Sequence, residues 1–567
     1  MKFAPRAVVS VLMLSGVLAL GAAAVLAVST AVVMAAGMRG AWAVLAAIII
    51  TAVIFVLVMV VPAAKRRQHK PVEGVLVTDD EQPLLWVEIL IVAEGLHMWP
   101  PRQLVLAPDA SVIASESRTW LGLRPGVRRL QLGEVLLAGL TERQLRAVMA
   151  HELLRFWGPS RTARFIHRGR KVTARVLDAV GEDSRAGRMV GRFGRMYVRV
   201  SDPVIRGHEL DADTRSANLV GNGATAAALR EVAVLSKGWD AFVDGYLEPS
   251  LAARRRPADV FASFTEFLEH PDRRVQLAKA IGAAAPLPLA TYSAQPSLAD
   301  RLAAVASLPE DNTQDRSGRA LDMLREPERE IERLHEWMFR DHPDLIVATW
   351  EEIVPAAGRA AAREGARALV RLGQLGELGP TLSVGTQLDI IRFGLAEEMV
   401  RPLFEEPVAL EVERHVASRL VTSFLTTAAI GAGTASHRFS WATPLQLVDA
   451  QGGAEDLAGL VDAALADPDQ LVAVEKWLRT HKVAVDVKLD DSDEPDPDLV
   501  RPLVLGPDPA QERRVPEASP VTPSPSTPAK TAERSPERTP EDTPEDLPEA
   551  TVGGLSKARL AMMVGQR

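Results

Sequence analysis

The stretch "VMAHELLRFWG", residues 148–158, closes a helix that the sequence signals at both ends. Thr141 suits the N-cap position, and Gln144 three positions later completes a capping box, in which each side chain satisfies a backbone amide of the other residue. Gly158 and the proline after it end the helix, so the pattern predicts a helix that runs to about Phe156. The His-Glu pair of the quoted stretch therefore lies in the second half of this helix.

A second polar motif, "ELDAD" at residues 209–213, follows farther along the chain. Histidine and carboxylate side chains bind metals, and the chain has no cysteine, so any zinc here must use His, Asp or Glu. The lack of cysteine also excludes disulfides and fits a reducing compartment. The sequence contains neither a phosphate-binding loop after a strand nor a Gly-x-Ser-x-Gly elbow. The two polar motifs are therefore the main chemical signal.

Together, His-Glu at 151–152 and Glu-x-x-Ala-Asp at 209–213 resemble the two motifs of the HtpX-type membrane zinc metallopeptidases, a family that includes the CAAX prenyl protease. The stretches "LTERQLRAVMAHEL" and "QPSLADRLAAV", the latter at 295–305, are also similar to that family. The resemblance covers residues 71–310. It implies an α+β fold class: two N-terminal transmembrane helices followed by a mostly helical zincin-like domain with a small β-sheet.

The resemblance implies a role for each matching residue. His151 would be the first zinc ligand and Glu209 a further protein ligand. Glu152 would be the general base that activates zinc-bound water. Asp213 would orient the ligands without binding the metal itself.

The sequence departs from the family pattern at Arg155, which occupies the position where the second zinc-binding histidine is expected. A catalytic zinc needs three protein ligands and an open position for water, and arginine has no lone pair to donate. One possibility is a metal-free site in which Arg155 pairs with Glu209 or Glu152. Another is a substitute ligand, with His208 and His167 as the candidates. A third is a resemblance of fold alone.

Three strands are predicted ahead of the motif-bearing helix. Residues 103–107 ("QLVLA") form a short strand between proline-containing turns, and residues 111–114 and 128–132 are further candidates. The resemblance implies that the second of these strands is the edge that a peptide substrate joins by β-augmentation. Ser111 and Ile113 are its candidate contact residues.

Residues 81–96 have the periodicity of a largely buried helix. Leu84, Val87 and Ile91 share one face of this helix, and further apolar residues lie beside that face. We therefore expect the helix to be buried within the domain.

Two uncharged apolar runs, at 7–36 and 41–64, are each long enough for a helix to cross a bilayer. Basic residues flank the pair: Lys2, Arg6, Lys65, Arg66, Arg67 and Lys70. The positive-inside rule then predicts a multi-pass protein of the cell (plasma) membrane with cytoplasmic N- and C-termini. Two alternatives are a cleaved signal peptide and a single span with an exported domain.

Four regions are predicted: a transmembrane hairpin at 1–64, the metallopeptidase-like domain at 71–310, a helical region at 319–485 and a disordered, proline-rich acidic tail at 490–567. The net charge of −8 is unevenly distributed, with a basic stretch at 155–206. That stretch is interpreted as a solvated helical face or as a contact with anionic lipid. It has too few aromatic residues for a nucleic-acid platform, so no nucleic-acid partner is expected.

Two functions of different class follow. In the first, the protein is a noncatalytic pseudoprotease that binds peptides or partners and needs no cofactor. In the second, it is an active zinc metalloendopeptidase with a substitute ligand, which cleaves membrane or membrane-proximal proteins. Membrane lipid is an expected partner in both.

Overall fold

The computed structural model describes residues 74–119, 124–158, 185–283, 296–309, 317–376, 378–404 and 408–490, with isolated positions 9, 10, 12, 13, 30, 166, 169 and 170. Among these residues, no helix has both the length and the apolar character that crossing a membrane requires. The predicted spans at 7–36 and 41–64 lie almost wholly outside the described residues, and so does the predicted tail beyond residue 490. The described part is mostly helical with small sheets, in agreement with the broad α+β class.

A four-stranded sheet begins the first unit, in the spatial order β1-β2-β4-β3. β1 and β2 are antiparallel, β2 and β4 are parallel, and β4 and β3 are antiparallel. Strand β2 matches the predicted 103–107, and the other two predicted strands are present and longer. The bounds are Val75–Val77 for β1, Gln103–Ala107 for β2, Val112–Thr119 for β3 and Arg124–Gly133 for β4.

Helix α1, Pro83–Gly95, connects β1 to β2 and confirms the helix predicted at 81–96. The predicted burial of its Leu84–Val87–Ile91 face is wrong, because all three side chains are exposed. The buried side is the adjacent one, which packs into the core of the unit through Leu85, Ile89, Val92 and Ala93.

Helices α2, Glu134–Gly139, and α3, Glu142–Trp157, follow the sheet. The capping box at the start of α3 is confirmed: the Thr141 hydroxyl accepts a hydrogen bond from the Gln144 amide, and the Gln144 side chain accepts one from the Thr141 amide. Gly158 caps the C-terminus as predicted. The buried side of α3 carries Leu145, Met149 and Leu153 in the core of the first unit.

The rest of the first unit is helical and extends to Ala357, with a return of the chain at Arg438–Gln446. A π-helical turn at Val243–Leu247 follows helix α5 (Asn222–Phe242), and a two-stranded parallel pair joins Arg255–Arg256 (β5) to Ile346–Val347 (β6). The helices are α4 Arg185–Val220, α5 Asn222–Phe242, α6 Glu248–Ala252, α7 Val260–Glu269, α8 Pro271–Ala283, α9 Leu298–Ala306, α10 Pro327–Phe339 and α11 Trp350–Leu375.

Among the described residues, the second unit comprises Gly358–His437 and Leu447–Asp490, and it has its own apolar core. Two short strand pairs accompany its helices: β7 with β10, which are antiparallel, and β8 with β9. Residues 319–357, which the sequence assigned to this helical region, pack instead in the core of the first unit. The elements are β7 Thr381–Ser383, α12 Val384–Arg392, α13 Ala396–Val400, α14 Leu410–Gly431, β8 Ala435–Arg438, β9 Gln446–Asp449, α15 Leu457–Ala466, α16 Leu471–Thr480 and β10 Lys488–Asp490.

Candidate functional site

Helices α3 and α4 pack against each other and bring the two sequence motifs together. Small residues line this contact, with Ala147 on α3 and Ala212 on α4 both buried. The Ser216 hydroxyl of α4 also donates a 2.7 Å hydrogen bond to the carbonyl of Ala147. Because close packing is possible here, His151 meets Glu209 across the interface.

His151 lies between two carboxylates of α4. Its Nδ1 is 2.8 Å from Oδ1 of Asp213, which is fully buried, and its Nε2 is 3.5 Å from Oε2 of Glu209. Burial disfavours the charged imidazole, but the hydrogen bonds to Asp213 and Glu209 outweigh it and raise the pKa of His151. Burial would raise the pKa of both carboxyl groups, and their charged partners lower it instead. The three side chains therefore form an ion-paired group.

Arg301 of helix α9 completes this group, and it was not among the site residues predicted from the sequence. Its Nε and Nη2 donate hydrogen bonds of 2.8 and 2.7 Å to the two oxygens of Asp213. Its Nη2 also lies 3.3 Å from both ring nitrogens of His151. The available signal is its place in the stretch "QPSLADRLAAV", which is similar to the metallopeptidase family.

Arg155 binds Glu152 one helical turn earlier on α3. Its Nε and Nη2 donate hydrogen bonds of 2.7 and 2.6 Å to the two carboxylate oxygens, in the forked geometry that guanidinium and carboxylate favour. Burial would lower the pKa of Arg155, but Glu152 outweighs burial and raises it. No hydrogen bond joins Arg155 to Glu209 among the described residues. The charge of Arg155 nevertheless contributes to the lowered pKa of Glu209.

Among the described residues, strand β3 lies at the edge of the sheet and pairs with β4 alone, as the resemblance implied. The carbonyl of Ser111, just before the strand, accepts a 2.7 Å hydrogen bond from the amide of Gly133. Because main-chain groups alternate in direction along a strand, those of Ile113 also point toward β4. The main-chain groups of Val112 and Ala114 point outward. The predicted contact residues Ser111 and Ile113 therefore do not supply the outer main-chain groups of the strand, and their neighbours do.

The outward amide of Ala114 donates a 3.1 Å hydrogen bond to Oε1 of Glu152. The carboxylate of Glu152 is buried and accepts from both the edge strand and Arg155. One oxygen therefore has two N–H donors and the other has one. Glu152 links the helix to the strand beside it.

Of the two proposed substitute ligands, His208 does not join the site. Nε2 of His208 lies 3.4 Å from the main-chain carbonyl of Arg155, at the end of α3. His167 lies outside the described residues. The predicted rescue of the metal site by His208 therefore lacks the required geometry.

The donor set does not fit a catalytic zinc. Only Nε2 of His151 and the carboxylate of Glu209 face each other, since Asp213 binds the other side of the imidazole. Arg155 and Arg301 add two fixed positive charges. Within the described residues, no three His, Cys, Asp or Glu side chains are grouped so that they could hold a metal ion.

With His151 protonated, three positive side chains balance the three carboxylates of this site. The chain's own residues therefore compensate the charges of the buried carboxylates. Comparison of the chain with protein-family models, with curated proteins and with solved structures found no match.

Proposed function

We propose that this protein is a membrane-anchored pseudoprotease of the HtpX type, whose former substrate groove binds an extended peptide without cleaving it. The observation that carries the proposal is the pair of hydrogen bonds from Arg155 to both carboxylate oxygens of Glu152. The proposal includes a membrane anchor formed by the two apolar runs, with both chain termini in the cytoplasm.

The state of Glu152 argues against hydrolysis. A general base must take a proton from water held beside a metal or a substrate, within hydrogen-bond distance of its carboxylate. In this chain the carboxylate accepts three N–H donors, two from Arg155 and one from Ala114. The forked pairing places the guanidinium of an arginine that stays protonated against both carboxylate oxygens, where a water molecule would have to approach.

Peptide binding is the property that survives this change. The β3 edge keeps the outward main-chain groups of Val112, to which an added strand can bond. The hydrogen bond from Ala114 to Glu152 fixes this strand beside α3 and so preserves the wall of the groove. The expected partner is an extended segment of a membrane or membrane-proximal protein.

The alternative function is an active zinc metalloendopeptidase. Its supporting observation is the 3.5 Å approach of His151 Nε2 to Glu209 Oε2, which brings two zinc-binding groups together. A third ligand would have to come from outside the described residues, and Arg155 would have to leave Glu152.

Zinc content distinguishes the two functions. The full-length chain, its Arg155→His variant and an Arg155→His/Glu209→Gln double variant are purified in detergent without chelators, and zinc per chain is measured. We expect no zinc in the native chain, about one zinc per chain in Arg155→His, and loss of that zinc in the double variant. Stoichiometric zinc in the native chain would establish a substitute ligand and favour the enzyme.

Peptide binding has its own test. Peptides are selected from a random library on the immobilised full-length chain, and their affinities are measured for Val112→Pro and Val112→Thr. Proline removes an outward amide without breaking the ladder to β4, so we expect it to weaken binding, whereas threonine keeps the amide and the affinity. Equal weakening by both variants would mean that the peptide binds the side chain of Val112 rather than the main chain of the strand edge.

A further inference from the structure

Helix α1 presents its apolar residues to the outside. Leu84, Val87, Leu90 and Ile91 are 60%, 49%, 46% and 52% exposed, and they lie along one side of the helix. A surface helix of a globular protein normally directs such a stripe to the core and its charged residues to solvent. Contiguous exposed apolar residues mark a surface that something else covers.

Of the two charged residues of α1, Glu88 faces inward. Glu88 accepts a 2.8 Å hydrogen bond from Arg146 of α3, in a forked ion pair that attaches α1 to the helix bearing the candidate site. Glu94, near the end of the helix, is its other ionisable residue and is exposed. The outer side of α1 is therefore apolar along almost its full length.

The position of α1 in the chain indicates what covers this side. The second apolar run ends at residue 64, and the described residues resume at Gly74. A link of this length spans at most about 35 Å even when fully extended, so a run placed in a bilayer keeps α1 close to the membrane surface. The link is basic, with Lys65, Arg66, Arg67 and Lys70, and such residues are attracted to anionic headgroups.

Two neighbouring residues fit the same environment. Leu76 of strand β1 is 45% exposed, and Trp99, just beyond the end of α1, is 81% exposed. Tryptophan is enriched at the boundary between membrane and water, where its ring is partly apolar and its N–H stays hydrated.

We propose that the outer side of α1 lies in the headgroup region of the cytoplasmic leaflet, with Leu84, Val87, Leu90 and Ile91 directed into the lipid. The proposal rests on the membrane anchor of the proposed function. It gives α1 the role of an interfacial helix, and the Glu88–Arg146 pair then sets the orientation of α3 relative to the membrane. The candidate groove would be held at a fixed height, where membrane-proximal segments pass.

Site-directed spin labelling of the full-length chain tests this placement. The chain contains no cysteine, so Val87→Cys and Ile91→Cys each provide one labelling site, and the exposed positions tolerate the change. Val275→Cys on α8, 69% exposed, is the matched control. Labelled chains are reconstituted in phosphatidylcholine vesicles containing phosphatidylglycerol, and collision with oxygen is compared with collision with a water-soluble nickel complex.

We expect the labels at positions 87 and 91 to collide mainly with oxygen and the label at position 275 to collide mainly with the nickel complex. Dominance of nickel at all three positions would overturn the proposal. Immobile labels that neither reagent reaches would also overturn it, because α1 would then be packed against protein, such as the apolar runs of the same chain. Alkaline extraction of the vesicles distinguishes failure of this proposal from failure of the proposed function. If the chain is extracted, the membrane anchor is contradicted as well. If the chain stays in the vesicles but its labels are exposed to water, only the contact of α1 with lipid is contradicted.

Discussion

Two arginines of the candidate site each pair with one of its three acidic groups. Arg155 takes Glu152, and Arg301 takes Asp213. The first pairing was among those that sequence spacing allowed, because residues three apart on a helix are neighbours. The second joins residues 88 positions apart in the chain, and no local periodicity carries that information. The histidine and the carboxylates of the site were therefore predictable from motifs, whereas the pairing of Asp213 with Arg301 was not.

We predict that Arg301→Ala destabilises the first unit by about 2–4 kcal/mol. The substitution leaves the fully buried Asp213 with His151 as its remaining charged partner, and the loss of one partner of a buried ion pair is costly. Urea denaturation of the full-length chain measures the change, with Arg301→Lys recovering part of it because lysine keeps the charge but loses the fork.

The matched control is Arg319→Ala. Arg319 also pairs with an aspartate, Asp322, but both side chains are exposed. We expect no resolved change in the denaturation midpoint. Equal effects of the two variants would show that burial of Asp213 does not determine the cost.

A buried carboxyl group outside the site gives a pH prediction. Burial, assisted by the charge of Asp259, raises the pKa of Glu134 to about 8, and its Oε2 has no hydrogen-bond partner among the described residues. Since the folded pKa lies above the unfolded value of 4.5, the folded state binds the proton more tightly and stability falls as pH rises between these values. Glu134→Gln removes this titration. Urea denaturation across the window should show a flatter profile for the variant, and parallel profiles would contradict the assignment.

At the scale of elements, the ends of helices were easier to predict than their buried faces. The limits of α3 follow from side-chain caps within a few residues of each end, so the sequence alone contains the determinants. The exposed side of α1 depends on what packs against it, and the candidate partners lie in another part of the chain or in lipid. Periodicity identified an apolar stripe on α1 correctly and could not say what it faces.

The cap of α3 is testable by Thr141→Ala. The change removes the acceptor for the Gln144 amide, and we expect a loss of about 1 kcal/mol in the free energy of unfolding of the first unit. Thr141→Ser retains the hydroxyl and should recover most of the loss. Chemical denaturation measures both variants, and a serine variant as weak as the alanine variant would point to the methyl group rather than the cap.

At the scale of the whole molecule, each of the two compact units has its own core. The predicted boundary between 310 and 319 followed a change of composition, but residues such as Leu334 and Trp350 fill the core of the first unit. The return of the chain at Arg438–Gln446 adds Trp441 to the same aromatic cluster, beside Tyr246. Composition cannot report such a return, because it depends on contacts between distant segments.

The two units should respond to acid in opposite directions. In the second unit, burial and the charge of Arg359 lower the pKa of His437 to about 4, and its ring lies against Gly358, where an added Cβ would come within 2.2 Å. Because the folded pKa lies below the unfolded value of 6.5, stability is lost as pH falls between these values, by up to about 1.4 kcal/mol per pH unit. In the pH range that the two titrations share, protonation of Glu134 raises the stability of the first unit as pH falls.

Urea denaturation followed by hydrogen-exchange mass spectrometry resolves peptides of both units in the full-length chain. Between about pH 7 and about pH 5, we expect the midpoint of peptides from α14 to fall and that of peptides from α2 to rise. His437→Gln should abolish the fall in α14 without changing α2, and Glu134→Gln should do the reverse. If the midpoints of both units move in the same direction in the native chain, other groups dominate the response to acid. If each variant also changes the midpoint of the other unit, the two units unfold as one.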